Sequence, residues 1–126
     1  MIQILVVALG GAIGAVARYG LSGLVHRGLT GAFPFGTLVV NVVGCLAIGG
    51  FLHFVEDRSM LSPTTRLFVA VGILGGFTTF SAFGYETIEL LRDGEWWSAF
   101  WSVSGNLVLG LGAVWAGRAI LRWIGM

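Results

Sequence analysis

Charge is scarce in this sequence. Lysine is absent, and seven arginines with six acidic residues make up 10% of the 126 residues. Soluble domains run near about 25% charged. Apolar residues reach 56% and mean hydropathy is +0.92, which leaves too little polar surface to coat a water-soluble monomer of this size. A soluble enzyme and a disordered tail are both excluded. A single cysteine, Cys45, forbids an intrachain disulfide and with it the secreted disulfide scaffold. Net charge is only +1 and no basic cluster occurs, so nucleic acid is not an expected partner. No metal-ligand cluster, nucleophile–base pair or phosphate loop is present to suggest catalysis. Proline is limited to two residues while glycine reaches 21, the balance of closely packed membrane helices. What remains is an all-α integral membrane protein.

Four apolar stretches, at about 5–23, 37–55, 67–91 and 97–120, account for most of the chain and make residues 1–126 a single membrane domain. Each holds at least ~18 residues, enough to cross a hydrocarbon core of ~30 Å as a helix. The connections are short and carry Pro34, then Asp57, Arg58 and Pro63, then Asp93 and Gly94. Ser62-Pro63 predicts an N-cap followed by proline at the first helical position. Trp96, Trp97 and Trp123 fall near span ends, where an interfacial aromatic belt belongs. Ala15-Val16-Ala17 resembles a cleavage site, but no Lys or Arg precedes it, so the first stretch is read as a retained span.

The arginines are shared between the two sides. With a cytoplasmic N-terminus, Arg58, Arg66, Arg118 and Arg122 are inside, against Arg27 and Arg92 outside. That weak positive-inside bias is compatible with insertion in both orientations and equally with a single one.

Polar residues within spans cost free energy, so each requires a reason. Arg18 lies after Gly10-Gly11-Ala12-Ile13-Gly14, close enough to a span end to snorkel. At a helix centre an arginine costs roughly 2.5–3.5 kcal/mol. Its readings are an interfacial anchor or an ion-pairing, anion-attracting group. Asn41 is one turn beyond Thr37 and shares its face. Asn41 and, in the fourth stretch, Asn106 are each either interhelical hydrogen-bonding groups worth roughly 1 kcal/mol or parts of a polar lining.

The third stretch is the informative one. Gly75-Gly76-Phe77-Thr78-Thr79-Phe80-Ser81-Ala82-Phe83 sets a glycine pair before two β-branched threonines, poor helix material at mid-membrane. A helix break is expected there, and exposed backbone is tolerated in a bilayer only where it is buried in protein or lines an ion site. Phe80 and Phe83 share a face, and ring edges turned inward can approach an anion. Thr78, Thr79 and Ser81 add hydroxyls. Glu86 is a candidate for a pathway mouth, whereas Glu89, His26 and His53 read as interfacial. Gly10-xxx-Gly14 and Gly72-xxx-Gly76 are close-approach faces for helix packing.

Gly10-Gly11 through Gly14-Ala15 to Arg18-Tyr19, Gly36-Thr37-Leu38-Val39-Val40-Asn41, and the Gly75–Phe83 stretch together resemble the Fluc (CrcB-type) fluoride channel family across essentially the whole chain. The resemblance implies a passive, highly selective fluoride exporter of the prokaryotic inner membrane that protects against fluoride. It implies an antiparallel, dual-topology homodimer with two pathways. Carried over by position, Asn41, Phe80 and Phe83 would line the pathways, with Ser81 in a hydroxyl track and Glu86 toward an end; by its chemistry the Thr79 hydroxyl can supply a further contact to fluoride. Backbone carbonyls of Gly75 and Thr78 from both subunits would hold a structural sodium ion. Arg18 matches the family's first-span arginine. Asn106 occupies a more variable position, and Ala82 stands where many members carry a hydroxyl.

Two other readings compete. A small dual-topology, proton-coupled exporter of the four-helix type would want a carboxylate deep in the membrane. Here the first stretch carries Arg18 and no acid, while Glu86 comes late in the third. A non-transporting membrane subunit would use the polar groups as helix glue alone.

Overall fold

The computed structural model describes residues 1–58 and 61–125, without the side chains of Asp57 and Arg58. The described residues form helices and no strands. Four spans are long and apolar enough to cross a membrane: Ile2–Gly28, Phe35–Glu56, Pro63–Arg92 and Trp96–Trp123. Each outruns its apolar stretch at one or both ends, because helical bonding continues through flanking polar residues such as His26, Arg27 and Arg92. Ser62 accepts the Thr65 N–H at 3.1 Å and Pro63 takes the first helical position, so that cap forms as its sequence predicts.

The third span changes character along its length. After a short α-turn at Pro63–Arg66, residues Leu67–Leu74 adopt a widened π-helix in which the Gly75 N–H reaches the Ala70 carbonyl, five residues back. Gly75–Phe77 is α-helical again. Thr78 (φ −79°, ψ 158°) and Thr79 (φ −149°, ψ 113°) are extended, and helix resumes over Phe80–Arg92. The fourth span carries a similar wide segment at Gly105–Leu109. Wide turns of this kind concentrate at functional positions in helices.

Small residues set how closely the spans approach. A Cβ on Gly14 would collide with the Ile73 carbonyl, and one on Gly76 would sit 2.6 Å from the Gly11 carbonyl oxygen. The two glycine pairs singled out in the first and third spans therefore face each other. The second and fourth spans pack alike, with Gly117 against the Leu46 carbonyl. These contacts are backbone to backbone, the arrangement that lets dispersion hold helices together where lipid removes the hydrophobic drive.

Successive spans alternate in direction, so the Arg118–Glu56 ion pair, at 2.5 Å, joins the C-terminal ends of the fourth and second spans. Arg66, Arg118 and Arg122 share that end, with Arg27 and Arg92 at the other; the Arg58 side chain, counted with the first group from sequence, lies outside the described residues. His53 lies three residues before the end of its span at Glu56 but faces the bundle. It is only 3% exposed, because it lies one turn beyond Gly49, on the face that packs against Val114. Glu89 pairs with Arg92 at 2.7 Å on the surface, in keeping with an interfacial acid.

The chain exposes 8015 Å², against about 6,450 Å² for a soluble monomer of its mass. Much of the excess is large apolar side chains, including Leu9, Val16, Val71, Phe80, Leu107 and Trp115. Lipid, or another protein surface, has to cover them.

Candidate functional site

The site is built around Thr79. In extended backbone its N–H and carbonyl cannot join a helical ladder, and an unsatisfied peptide group in a bilayer costs several kcal/mol. Asn41 of the second span satisfies both. Its Oδ1 accepts the Thr79 N–H at 2.8 Å, and its Nδ2 donates to the Thr79 carbonyl at 3.1 Å. The same Nδ2 donates to Asn106 Oδ1 of the fourth span at 2.8 Å. Asn106 in turn donates to the Ser102 carbonyl at 2.9 Å. Ser102 is fully buried and its hydroxyl lies 3.2 Å from that of Thr87. The second and fourth spans are thereby tied to the extended segment of the third.

This accounting engages both amide hydrogens of Asn41, all that the side chain has to donate. The hydroxyls are less committed. Thr79 Oγ1 accepts the Ala82 N–H at 3.2 Å and lies 3.3 Å from Ser81 Oγ. It thus caps the helix that begins at Phe80 while remaining part of a short hydroxyl pair.

Thr79 stands between two cavities. One, of about 370 Å³, is lined by Asn41, Thr78, Thr79, Phe80, Phe83 and Asn106, with Gly75 and Cys45 also on its wall. The Phe80 and Phe83 rings meet edge to face, with centroids 5.3 Å apart and planes at 62°. Phe80 is 80% exposed, so this cavity opens on the outer face of the chain. The other cavity, of about 570 Å³, is lined by Arg18, Ser22, His26, Thr37, Thr79 and Glu86.

The residues singled out in the sequence therefore fall into two groups joined by Thr79. Asn41, Phe80, Phe83, Asn106, Gly75 and Thr78 share the first cavity, while Arg18 and Glu86 share the second. Ser81 lines neither and is exposed. No ion pair joins Arg18 to Glu86 or to any other acid among the described residues. Glu86 is held instead by Thr37, whose hydroxyl donates to Glu86 Oε1 at 2.9 Å. Glu86 Oε2 is buried with no hydrogen-bond partner.

The oxygen donors near the extended segment suit an alkali cation. The Thr79 N–H would close a helical bond to the Gly75 carbonyl, four residues back, but it is given to Asn41 instead. Ala82 N–H, four residues beyond Thr78, likewise goes to the Thr79 hydroxyl. Two neutral carbonyl oxygens are thus diverted from helical pairing on one cavity wall, the hard ligand type that alkali and alkaline-earth ions prefer. They are too few to fill a coordination shell from one chain.

A family model described as CrcB-like protein, Camphor Resistance (CrcB), matches residues 5–118. The chain belongs to the CrcB family. Among its relatives, the fluoride-specific ion channel FluC of Opitutus terrae is 55% identical over 116 residues, covering 90% of this chain and 88% of that protein. The FluC of Nitratidesulfovibrio vulgaris is 44% identical over 98% of this chain and 100% of its own length. That of Chloroflexus aurantiacus is 46% identical over 99% of both.

Within this CrcB-family chain, several residues in and behind the two cavities carry little local signal in the sequence. From sequence, Thr37 is a neighbour of Asn41 on one helix face; in the structure it holds Glu86. Ser22 lines the second cavity and its carbonyl lies 2.8 Å from His26 Nδ1. Ser102 and Thr87 carried a usable signal, since a hydroxyl residue in an apolar span needs a partner. Their pairing with each other could not be read locally.

Proposed function

We propose that the protein is a passive, selective fluoride channel through which cytoplasmic fluoride leaves the cell, relieving its toxicity. The observation that carries this reading is the hydroxyl- and ring-lined segment at Thr79–Phe83, set between two cavities, in a chain 55% identical to a fluoride-specific ion channel. Fluoride is small and strongly hydrated, so a narrow path has to replace lost water with polarised hydrogens. Arg18 raises the local anion concentration at the second cavity. From there, Thr79 and Ser81 offer hydroxyl donors, and the edges of Phe80 and Phe83 offer the positive rim of the ring quadrupole. Glu86 lies with Arg18 at the second-cavity end of the path and keeps its carboxylate on Thr37. Asn41 and Asn106 line the path and hold its backbone in shape.

The first cavity opens on the chain's outer face, so a second copy completes the path. The proposed assembly is an antiparallel homodimer in the inner membrane, with subunits inserted in opposite orientations and two pathways. Gly75 and Thr78 carbonyls from both subunits would hold one sodium ion at the dimer centre. When bound, that ion supplies a fixed positive charge and ties the extended segments together.

A channel suffices for export. HF enters from an acidic medium, dissociates inside, and the anion is driven out by the membrane potential at ~2.3 kcal/mol per 100 mV. The test is fluoride efflux from potassium-loaded liposomes after valinomycin, with chloride as the comparison. Fast fluoride efflux with no proton gradient and no chloride movement is expected. Efflux that requires a proton gradient would instead establish a proton-coupled exporter, and no movement from folded protein would leave a non-transporting subunit.

A further inference from the structure

At the C-terminal end of the fourth span, Trp115, Arg118, Ala119, Arg122 and Trp123 line a third cavity of about 320 Å³. None of these residues touches the two cavities at Thr79. Their spacing of three and four places them on one helix face, which is not the Gly110, Ala113 and Gly117 face buried in the bundle. Trp115 and Trp123 are eight residues apart, about 12 Å along the axis, so the cavity runs from the span end into the depth occupied by lipid. Its deep end is the exposed Trp115 indole, the Arg118 and Arg122 guanidinium groups follow toward the span end, and the exposed Trp123 indole lies outermost.

The charge is not balanced. Arg118 shares its guanidinium with Glu56 at 2.5 Å. Arg122 has no ion-pair partner among the described residues. A cavity that is apolar and aromatic at depth, with one unpaired guanidinium and one shared with Glu56 nearer the interface, complements one kind of molecule: an anionic amphiphile with its phosphate outward.

We propose that this cavity binds the headgroup of an anionic phospholipid. The phosphate is held by Arg122 and the free edge of Arg118, and the first part of an acyl chain lies against Trp115. The site is independent of fluoride movement.

Vesicles of phosphatidylcholine, doped with phosphatidylglycerol brominated on its acyl chains, test this through quenching of tryptophan fluorescence. The part due to this site is the difference between the parent protein and Trp115→Phe. Brominated phosphatidylglycerol is expected to reach half-quenching at a mole fraction about fivefold below that of brominated phosphatidylcholine. Arg122→Gln should abolish that preference and Arg122→Lys should keep most of it, with fluoride efflux and dimer content unchanged in both. Glycerol phosphate added to the bulk should not compete, since it lacks the chain that reaches Trp115. Equal quenching by both lipids would overturn the proposal. So would an Arg122→Gln variant that retains the preference, or one that loses its dimer, which would make the cavity a protein contact. Competition by glycerol phosphate would overturn the lipid assignment in favour of a simple anion site.

Discussion

Asn41 pairs with both backbone polar groups of Thr79, so that one side-chain amide stands in for a missing stretch of peptide ladder. Thirty-eight residues separate the two. Extended backbone at mid-span is costly only while its N–H and carbonyl go unpaired. The Asn41 amide removes that cost and, through Asn106, ties the segment to the fourth span.

Replacing Asn41 with alanine strands the Thr79 N–H and carbonyl together. Each buried group left unpaired costs about 1–3 kcal/mol, so a large loss of thermal stability in detergent is expected, with fluoride efflux abolished. Asn106→Ala removes one acceptor and should cost less. In a double-mutant cycle the two losses should fall short of additive, because the groups form one network. Strict additivity would show that Asn106 does not position Asn41.

Phe80 separates flux from folding. Its ring is 80% exposed in the chain, so Phe80→Ile should leave the chain's own fold intact, and isoleucine keeps an apolar surface for the second copy. Losing the ring edge is expected to slow fluoride efflux by roughly tenfold, the equivalent of about 1.4 kcal/mol. Unaltered efflux would remove Phe80 from the pathway.

The close approach of the first and third spans makes a sharp contrast between neighbouring glycines. Gly14→Ala drives a methyl into the Ile73 carbonyl, backbone that cannot yield, and should give little folded protein on gel filtration. Gly20→Ala meets nothing within 4 Å and removes a poor helix former. It should be neutral or stabilising by about 0.5–1 kcal/mol.

Glu86 tests the choice between channel and coupled exporter. Glu86→Gln keeps an oxygen to accept the Thr37 hydroxyl but cannot exchange a proton. Fluoride efflux within a few-fold of the parent, driven by voltage alone, is the expected result. An exporter using Glu86 as its proton site would lose transport altogether.

Much of the architecture could be read from local pattern. Hydropathy placed the four spans, Ser62-Pro63 marked the start of the third, and the glycine pair before Thr78-Thr79 singled out a segment that differs from its flanks. Each signal is contained in a few neighbouring residues, so sequence alone carries it. The glycine motifs were legible as faces of close approach, although which face met which was not.

Only the tertiary structure decided the partners. Asn41 reaches Asn106 across 65 residues of sequence and Thr37 reaches Glu86 across 49. Arg18 and Glu86 were separated from the phenylalanines and set on the far side of Thr79. Helical periodicity states which side of a span a residue occupies, but not which neighbour that side will face. That choice belongs to the packing of the four spans, where backbone contacts at Gly14, Gly76 and Gly117 set the separations over which a short amide or hydroxyl can reach.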